Sequence, residues 1–157
     1  METVLVLLLL LTPLLGFVIN QIGNKKLGQT LPGVVATGAV IVSFIISLIY
    51  FIRIISTGEA IRVHLFDWMS LGNFNVSMDF TLDQLSLLWL MFVTGIGALI
   101  HVYSMGYMHN DPSVARYFSF LNLFIFFMSV LVTGSNLLVT FIGWEGVGLC
   151  SYLLIGF

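Results

Sequence analysis

Charged residues are scarce in this chain. Only 8% of its 157 residues are Asp, Glu, Lys or Arg, whereas a soluble domain carries about 25%. The net charge is −2, and the few lysines and arginines form no basic patch that would attract nucleic acid. The composition therefore excludes an ordinary soluble domain and argues against a nucleic-acid partner.

Cysteine is equally scarce, since Cys150 is the only one. It cannot form an internal disulfide, and the sequence has no CxxC or Cys/His spacing of the kind that binds metals. His64 has no second ligand at a suitable spacing. We therefore expect no metal site and no redox catalytic residue in this chain.

Apolar residues, in contrast, make up 59% of the sequence, and the mean hydropathy is +1.11. A membrane-spanning helix needs about 20 mostly apolar residues. The pattern predicts five such helices, and the first is too long and lacks the cleavage site of a signal peptide. The predicted spans are residues 3–22, 31–54, 82–108, 117–133 and 136 to the end.

The segment between the second and third spans is more polar. From Ile61 to Phe66 and again from Phe74 to Phe80, side chains alternate in type, and a Ser-Leu-Gly-Asn turn signal at 70–73 separates the two runs. Alternation with period two predicts strands, so we expect a β-hairpin outside the hydrocarbon layer. The predicted fold is an all-α polytopic membrane protein with this hairpin, divided into helices 1–2 (1–55), hairpin loop (56–80) and helices 3–5 (81–157).

Five spans would alternate between the two sides of the membrane. Lys25, Lys26 and Arg116 then share one side, and Arg53 and Arg62 share the other. Basic loops close to the first helix favour the cytoplasm. This distribution predicts a cytoplasmic lysine loop, with the N-terminus and the hairpin on the periplasmic side.

Glu145 is the only charged residue of the last apolar stretch. A carboxylate at that depth costs roughly 2.5–3.5 kcal/mol even on a lenient scale, so such groups usually face a bundle interior and handle protons or ions. The alternative is a neutral, structural carboxyl bonded to a neighbouring helix. Nearby Gly143, Gly146 and Gly148 favour close helix contact, and Tyr152 is the one clear hydrogen-bonding side chain on the same helical face.

Two further polar residues lie on the third span. Asp83 and His101 share one helical stripe, but they are eighteen positions apart, which is about 27 Å along a helix. They cannot touch, although they could stand at opposite ends of one polar route. His101 either passes protons or is a neutral histidine bonded to another helix, and Asp83 either joins the route or caps the helix start.

The final segment, GWEGVGLCSYLLIGF at 143–157, resembles the signature of the subunit L family of NADH:quinone oxidoreductase, respiratory complex I. This is the distal antiporter-like subunit, called subunit 5 in mitochondria. The resemblance extends to residues 68–75, 82–87, 100–103 and 122–125. It implies the N-terminal portion of a larger antiporter-like bundle that pumps protons. The apolar end of the chain, with no polar anchor after Phe157, agrees with that expectation.

The resemblance also implies partners and cofactors. In this family the glutamate matching Glu145 pairs with a lysine on a later helix, beyond Phe157, and further lysines continue the hydrophilic axis. Flavin, iron–sulfur clusters and quinone are bound elsewhere in the complex, so none is expected here, and the lack of cysteine clusters agrees. The implied partners are other complex I membrane subunits, above all the neighbouring antiporter-like one, together with protons and the lipid bilayer of a bacterial inner membrane.

Two alternatives remain at this stage. The large subunit of a multisubunit Mrp-type Na⁺/H⁺ antiporter, which lacks redox coupling, resembles the same region and shares the fifth-helix glutamate. The final motif and the hairpin favour complex I over it. A purely structural membrane scaffold would bear the same helices, but it predicts that Glu145→Gln leaves proton transfer unchanged.

Overall fold

Five helices and one hairpin make up the part of the chain that the computed structural model describes, namely residues 2–23, 28–72 and 74–157. Each helix is long and apolar enough to cross a membrane. This confirms the predicted fold class. The elements are α1 (Glu2–Gly23), α2 (Leu31–Thr57), β1 (Ile61–Leu71), β2 (Phe74–Leu82), α3 (Gln84–Tyr107), α4 (Val114–Thr133) and α5 (Leu137–Ile155).

Side-chain caps set the beginnings of two helices. The Ser86 backbone N–H donates to Asp83 Oδ1 at 2.7 Å, and the Asp83 N–H donates to Ser86 Oγ at 2.8 Å, so the two residues form a reciprocal capping box at the start of α3. At the start of α5, the Val139 N–H donates to Asn136 Oδ1 at 3.0 Å. The cap that the sequence predicts at Asp83 is confirmed, and α3 begins two residues after the predicted start of its span.

The hairpin strands pair antiparallel, beginning with Ile61 opposite Leu82. Gly72 lies in the turn with a φ of 58°, a left-handed conformation that glycine adopts without a steric penalty. Its predicted neighbour in the turn, Asn73, falls outside the described residues. The second strand extends to Leu82, beyond the predicted end of the loop, because its ladder continues to the residue before the Asp83 cap.

The hairpin is hydrogen-bonded to the turn between α4 and α5. The Ser135 N–H donates to the Asp79 carbonyl at 3.1 Å, and Asn136 Nδ2 donates to the Ser77 carbonyl at 2.7 Å. Asn136 thus caps α5 with its oxygen and binds the hairpin with its nitrogen. The position of the hairpin is therefore linked to the first turn of the helix that carries Glu145.

The same end of the bundle holds the beginning of α1 and the end of α2. Arg53 Nη1 donates to Glu2 Oε1 at 2.5 Å, and the Tyr50 hydroxyl donates to Glu2 Oε2 at 2.9 Å. The N-terminus and the hairpin therefore share one end, as the alternation of spans predicts. Lys25 and Lys26 lie outside the described residues, so their predicted sidedness stays a prediction.

Candidate functional site

The helix α5 packs against α4 through two of its glycines. An added Cβ at Gly143 would lie 2.5 Å from the backbone nitrogen of Leu131, and one at Gly146 would overlap the Phe127 ring. Gly148 has no other residue within 4 Å of its Cβ position in the described part of the chain. The close helix approach predicted from the glycines is confirmed for Gly143 and Gly146 but not for Gly148.

Glu145 lies on the face of α5 that is turned away from α1–α4, and its side chain is exposed. The reason is helical geometry, because two positions correspond to a rotation of about 200° from Gly143, which faces α4. The expectation of a carboxylate buried in the bundle interior therefore does not hold within these five helices. The exposed face, called here the outer face of α5, comprises Phe141, Glu145, Gly148, Leu149 and Tyr152.

The outer face of α5 is apolar except for its carboxylate and its phenol. The structure records no hydrogen bond or ion pair to Glu145 among residues 2–23, 28–72 and 74–157. Tyr152 shares the face, as predicted, but it lies seven positions further along, about 10 Å of helical rise. The chain therefore presents one carboxylate on an apolar helix surface, which is an arrangement that a partner of opposite charge would stabilise.

His101, in contrast, is enclosed by the bundle and only 1% exposed. Its Nδ1 lies 2.7 Å from the Gly97 carbonyl oxygen of its own helix, and its Nε2 lies 2.8 Å from Oδ1 of Asn122 on α4. The Phe118 ring covers one side, with 6.1 Å between ring centroids. Both ring nitrogens therefore have hydrogen-bond partners in the interior.

Asp83 lies at the opposite end of α3 from His101 and does not contact it. Its carboxylate is exposed and accepts the capping hydrogen bond from the Ser86 backbone. That bond, together with the Ser86 hydroxyl, holds the pKa of Asp83 below its usual range. A lowered pKa keeps the carboxylate ionised at neutral pH, which suits its role as a helix cap.

A second carboxylate is perturbed on the hairpin. The Ser77 hydroxyl donates to Asp79 Oδ2 at 2.5 Å, and His64 Nδ1 lies 2.6 Å from Asp79 Oδ1. The hydrogen bond from Ser77, followed by that from His64, lowers the pKa of Asp79. The His64 side chain is 56% exposed, which agrees with its predicted place on a solvated strand face. The described residues contain no cluster of three His, Cys, Asp or Glu side chains that could hold a metal ion.

Asn122 is the functional candidate that sequence reasoning missed. It is fully buried, contacts His101, and its Nδ2 atom has no hydrogen-bond partner among the described residues. The signal was the one amide side chain within the uncharged fourth span. Its partner could not be identified from one sequence, because the contact joins residues of two helices.

Comparison with known proteins gives the chain a family context. A family model described as the N-terminus of NADH-ubiquinone oxidoreductase (complex I) chain 5 matches residues 68–118. NADH-quinone oxidoreductase subunit L of Rickettsia felis is 41% identical over 153 residues, which cover 98% of this chain and 24% of the relative. NADH-ubiquinone oxidoreductase chain 5 of Chondrus crispus is 44% identical over 96% of the chain and 23% of the relative.

A further relative is subunit L of Escherichia coli K12, which is 41% identical over 96% of this chain and 25% of its own length. The chain therefore spans about a quarter of the length of the curated relatives that it matches. The match covers all five helices and the hairpin, because it includes nearly every residue of the chain.

Proposed function

Since the chain is a homologue of the N-terminal region of the complex I chain 5 and subunit L family, we propose that it belongs to a proton-translocating membrane subunit of NADH:quinone oxidoreductase. The observation that carries this proposal is the 41% identity to a subunit L over 98% of the chain. The five membrane-spanning helices agree with it.

Glu145 is the residue to which we assign the main role in proton transfer. The relatives of this chain are about four times as long as the chain itself. In a full-length subunit of that size, later helices would be able to cover the outer face of α5. A lysine on such a helix would favour the ionised carboxylate, whereas burial alone favours the protonated one. A change in the charge of that lysine would then load or release a proton at Glu145.

Three other residues have supporting roles in this proposal. Tyr152 shares the outer face of α5 and would offer a hydrogen bond within the covered site. His101 would accept and pass protons inside the bundle, and Asp83 would attract cations at the end of α3 that adjoins the hairpin. These roles follow from the position and chemistry of the three residues. Substitution of each residue in the full-length subunit would test its role.

The remaining parts of the complex complete the proposal. Flavin, iron–sulfur clusters and quinone would be held by other subunits or regions, and this chain would contact neighbouring membrane subunits, above all another antiporter-like one. We place it in a bacterial inner membrane, with the N-terminus and hairpin on the periplasmic side. That orientation is supported by Lys25, Lys26 and Arg116, which the alternation of spans predicts on the cytoplasmic side.

The test is Glu145→Gln in the full-length subunit of the assembled complex. Protons translocated per NADH oxidised are measured in inverted membrane vesicles, and the ratio should fall well below that of the wild type while assembly is retained. Glu59→Gln is the matched control, since Glu59 is an exposed carboxylate between α2 and the hairpin. An unchanged ratio in fully assembled Glu145→Gln complex would refute the role of Glu145.

The Mrp-type antiporter is the alternative that the same vesicles can exclude. Translocation by a complex I subunit should stop when NADH oxidation is inhibited, because redox chemistry drives it. An antiporter would instead continue to exchange protons for Na⁺ under an imposed sodium gradient. The relatives described above carry complex I names, which favours the first outcome.

A further inference from the structure

A layer of polar residues crosses the bundle interior at the level of His101. The imidazole contacts Asn122 of α4, and the Asn122 amide in turn lies against Gly16 of α1, where an added Cβ would overlap its nitrogen. Gly16 thus leaves the space that the amide occupies. One residue each from α1, α3 and α4 meets at this level.

Thr37 of α2 completes the layer. On either side of it, Gly33 lies against Met105 of α3, and Val40 lies 3.9 Å from the Cβ position of Gly97. Since α2 and α3 run antiparallel, interpolation between these two contacts places Thr37 at the level of the imidazole. Its hydroxyl is buried and has no hydrogen-bond partner among the described residues. We call Gly16, Thr37, His101 and Asn122 the polar layer.

The two hydrogen bonds of His101 constrain its protonation. The Gly97 carbonyl can only accept a hydrogen bond, so Nδ1 must carry a hydrogen. With Asn122 Oδ1 facing Nε2 at 2.8 Å, Nε2 must carry a hydrogen as well, because an amide oxygen also only accepts. In this orientation of the amide the imidazole is doubly protonated, and the Asn122 NH₂ group has no acceptor.

Rotation of the Asn122 amide by half a turn reverses this requirement. Its NH₂ group then donates to the lone pair of Nε2, while Nδ1 still donates to the Gly97 carbonyl. The imidazole in this arrangement is neutral, and each of its nitrogens is again satisfied. Each orientation of the amide therefore fits one protonation state of His101 and does not fit the other.

Among the residues that the structure describes, no charged side chain is hydrogen-bonded or ion-paired to the imidazole. Asn122 and Phe118 of α4, which contact the imidazole, are uncharged, and so are Gly16 of α1 and Thr37 of α2. Tyr117, the residue before Phe118, lies 3.3 Å from the Ser104 hydroxyl. A proton bound at His101 is thus stabilised by the two oxygen dipoles rather than by a counter-ion.

We propose that the polar layer is a proton-binding site, in which the proton occupies His101 Nε2 and the Asn122 amide rotates as the proton binds or leaves. The role of this site in transport rests on the proposed function. The protonation of His101 does not rest on it, so the two can be tested separately. The opposing possibility is a permanently neutral pair that only joins α3 to α4.

The test is solid-state NMR of the full-length subunit in lipid bilayers, with ¹⁵N in the histidine rings and asparagine side chains. Signals are assigned by their loss in His101→Gln and Asn122→Leu. As the pH is raised, His101 should pass from two N–H groups to one. The Asn122 side-chain nitrogen should shift over the same interval.

Two variants separate the site from general packing. In Asn122→Leu the doubly protonated form of His101 should be lost at every pH measured, since no oxygen faces Nε2. Ser129→Ala is the matched control on α4, because the Ser129 hydroxyl is buried but donates to Ile125 of its own helix at 2.8 Å. In Ser129→Ala, His101 should titrate as it does in the wild type.

Either of two results would overturn the proposal. One is a wild-type His101 that keeps a single N–H group throughout, and the other is an identical titration in Asn122→Leu. If Asn122→Leu does not fold, the wild-type titration still decides, because the His101 signal is assigned through His101→Gln and a single N–H group at every pH contradicts the proposal. Pumping measurements with Glu145→Gln are independent of all these outcomes.

Discussion

His101 of α3 and Glu145 of α5 differ in how their surroundings satisfy them. His101 is enclosed, and both ring nitrogens are hydrogen-bonded within this chain. Glu145 is exposed on the outer face of α5. The described helices α1–α4 therefore supply the hydrogen-bond partners of His101 themselves. In contrast, α5 is packed on one side only and carries Glu145 on the other side.

The contrast extends to the uncharged polar residues. In lipid, a polar group without a partner costs several kcal/mol, and most buried hydroxyls of the described residues have an acceptor close by. Ser119, Ser129 and Thr133 of α4 each donate to the carbonyl four residues earlier, and Ser43 of α2 donates to the Leu9 carbonyl of α1. Glu145 has no comparable local solution, because a carboxylate cannot donate to a backbone carbonyl when ionised.

The largest expected effect concerns the packed side of α5. Gly143→Ala places a Cβ 2.5 Å from the backbone of Leu131, and overpacking of this kind costs about 1–3 kcal/mol. Gly146→Ala should cost less, since the Phe127 ring can move. Gly148→Ala on the outer face should cost least, because its Cβ meets no atom of the described residues and alanine favours a helix. Thermal unfolding of the full-length subunit in membranes measures the three.

The order of these three variants is the decisive result. If Gly148→Ala proves as damaging as Gly143→Ala in the full-length subunit, the outer face of α5 is closely packed by another helix there. That outcome would remove the contrast between the two faces. It would also support a covered site around Glu145.

A somewhat smaller effect is expected at the polar layer. Gly16→Ala forces the Asn122 amide to shift, because the new Cβ would occupy its position. We expect a loss of about 1–2 kcal/mol, within the range for overpacking, since a side chain can yield more easily than a backbone. Gly38→Ala is the matched control, because no neighbouring atom of the described part of the chain lies within 4 Å of its Cβ position. Equal unfolding temperatures of the two variants would show that Asn122 does not pack as described.

Much of this architecture could be predicted from sequence because its signals are local. Runs of apolar residues gave the five spans, alternation gave the hairpin, and Asp83 and Asn136 gave two helix starts. The residues that share the outer face of α5 also follow from helical periodicity alone. The resemblance of residues 143–157 to the subunit L family is confirmed by the relatives described above.

What could not be predicted depends on contacts between distant residues. The His101–Asn122 bond joins two helices across 21 positions, and the Glu2–Arg53 pair joins residues 51 positions apart. Which way Glu145 faces was also missed, since periodicity identifies a helical face but not its neighbour. The glycines at 143 and 146 held that information, because small residues mark the side on which another helix packs.

The third-largest loss of stability is expected at Asn136, which anchors the hairpin to α5. Asn136→Ala removes both the cap to Val139 and the hydrogen bond to the Ser77 carbonyl, so a loss of about 1–2 kcal/mol is expected. Asn136→Asp keeps the cap oxygen but loses the NH₂ donor, and it should lie between alanine and wild type. Hydrogen exchange of the hairpin and of the first turn of α5 measures the two contributions separately. Equal protection of the hairpin in both variants and the wild type would contradict the anchor.

The smallest effect concerns Asp83, which lies at the far end of α3 from His101. Because its pKa is lowered in the folded state, its ionised form stabilises the fold above the unfolded pKa of about 3.9. That contribution should disappear as the pH falls through the lower, folded value. Asp83→Asn retains a capping oxygen without a titratable charge, so the stability gap between wild type and variant should shrink below about pH 4.

The size of that change is limited, because the exposed carboxylate is screened by solvent. Denaturation of the full-length subunit at a series of pH values measures it. The control is Asp111→Asn, because Asp111 is a half-buried loop carboxylate that accepts a hydrogen bond from the Ser113 N–H at 2.7 Å. A gap that stays constant with pH would mean that the cap acts through geometry alone. The stability of the fold would then not depend on the charge of Asp83. Proton-dependent behaviour on α3 would in that case be confined to His101 and the polar layer.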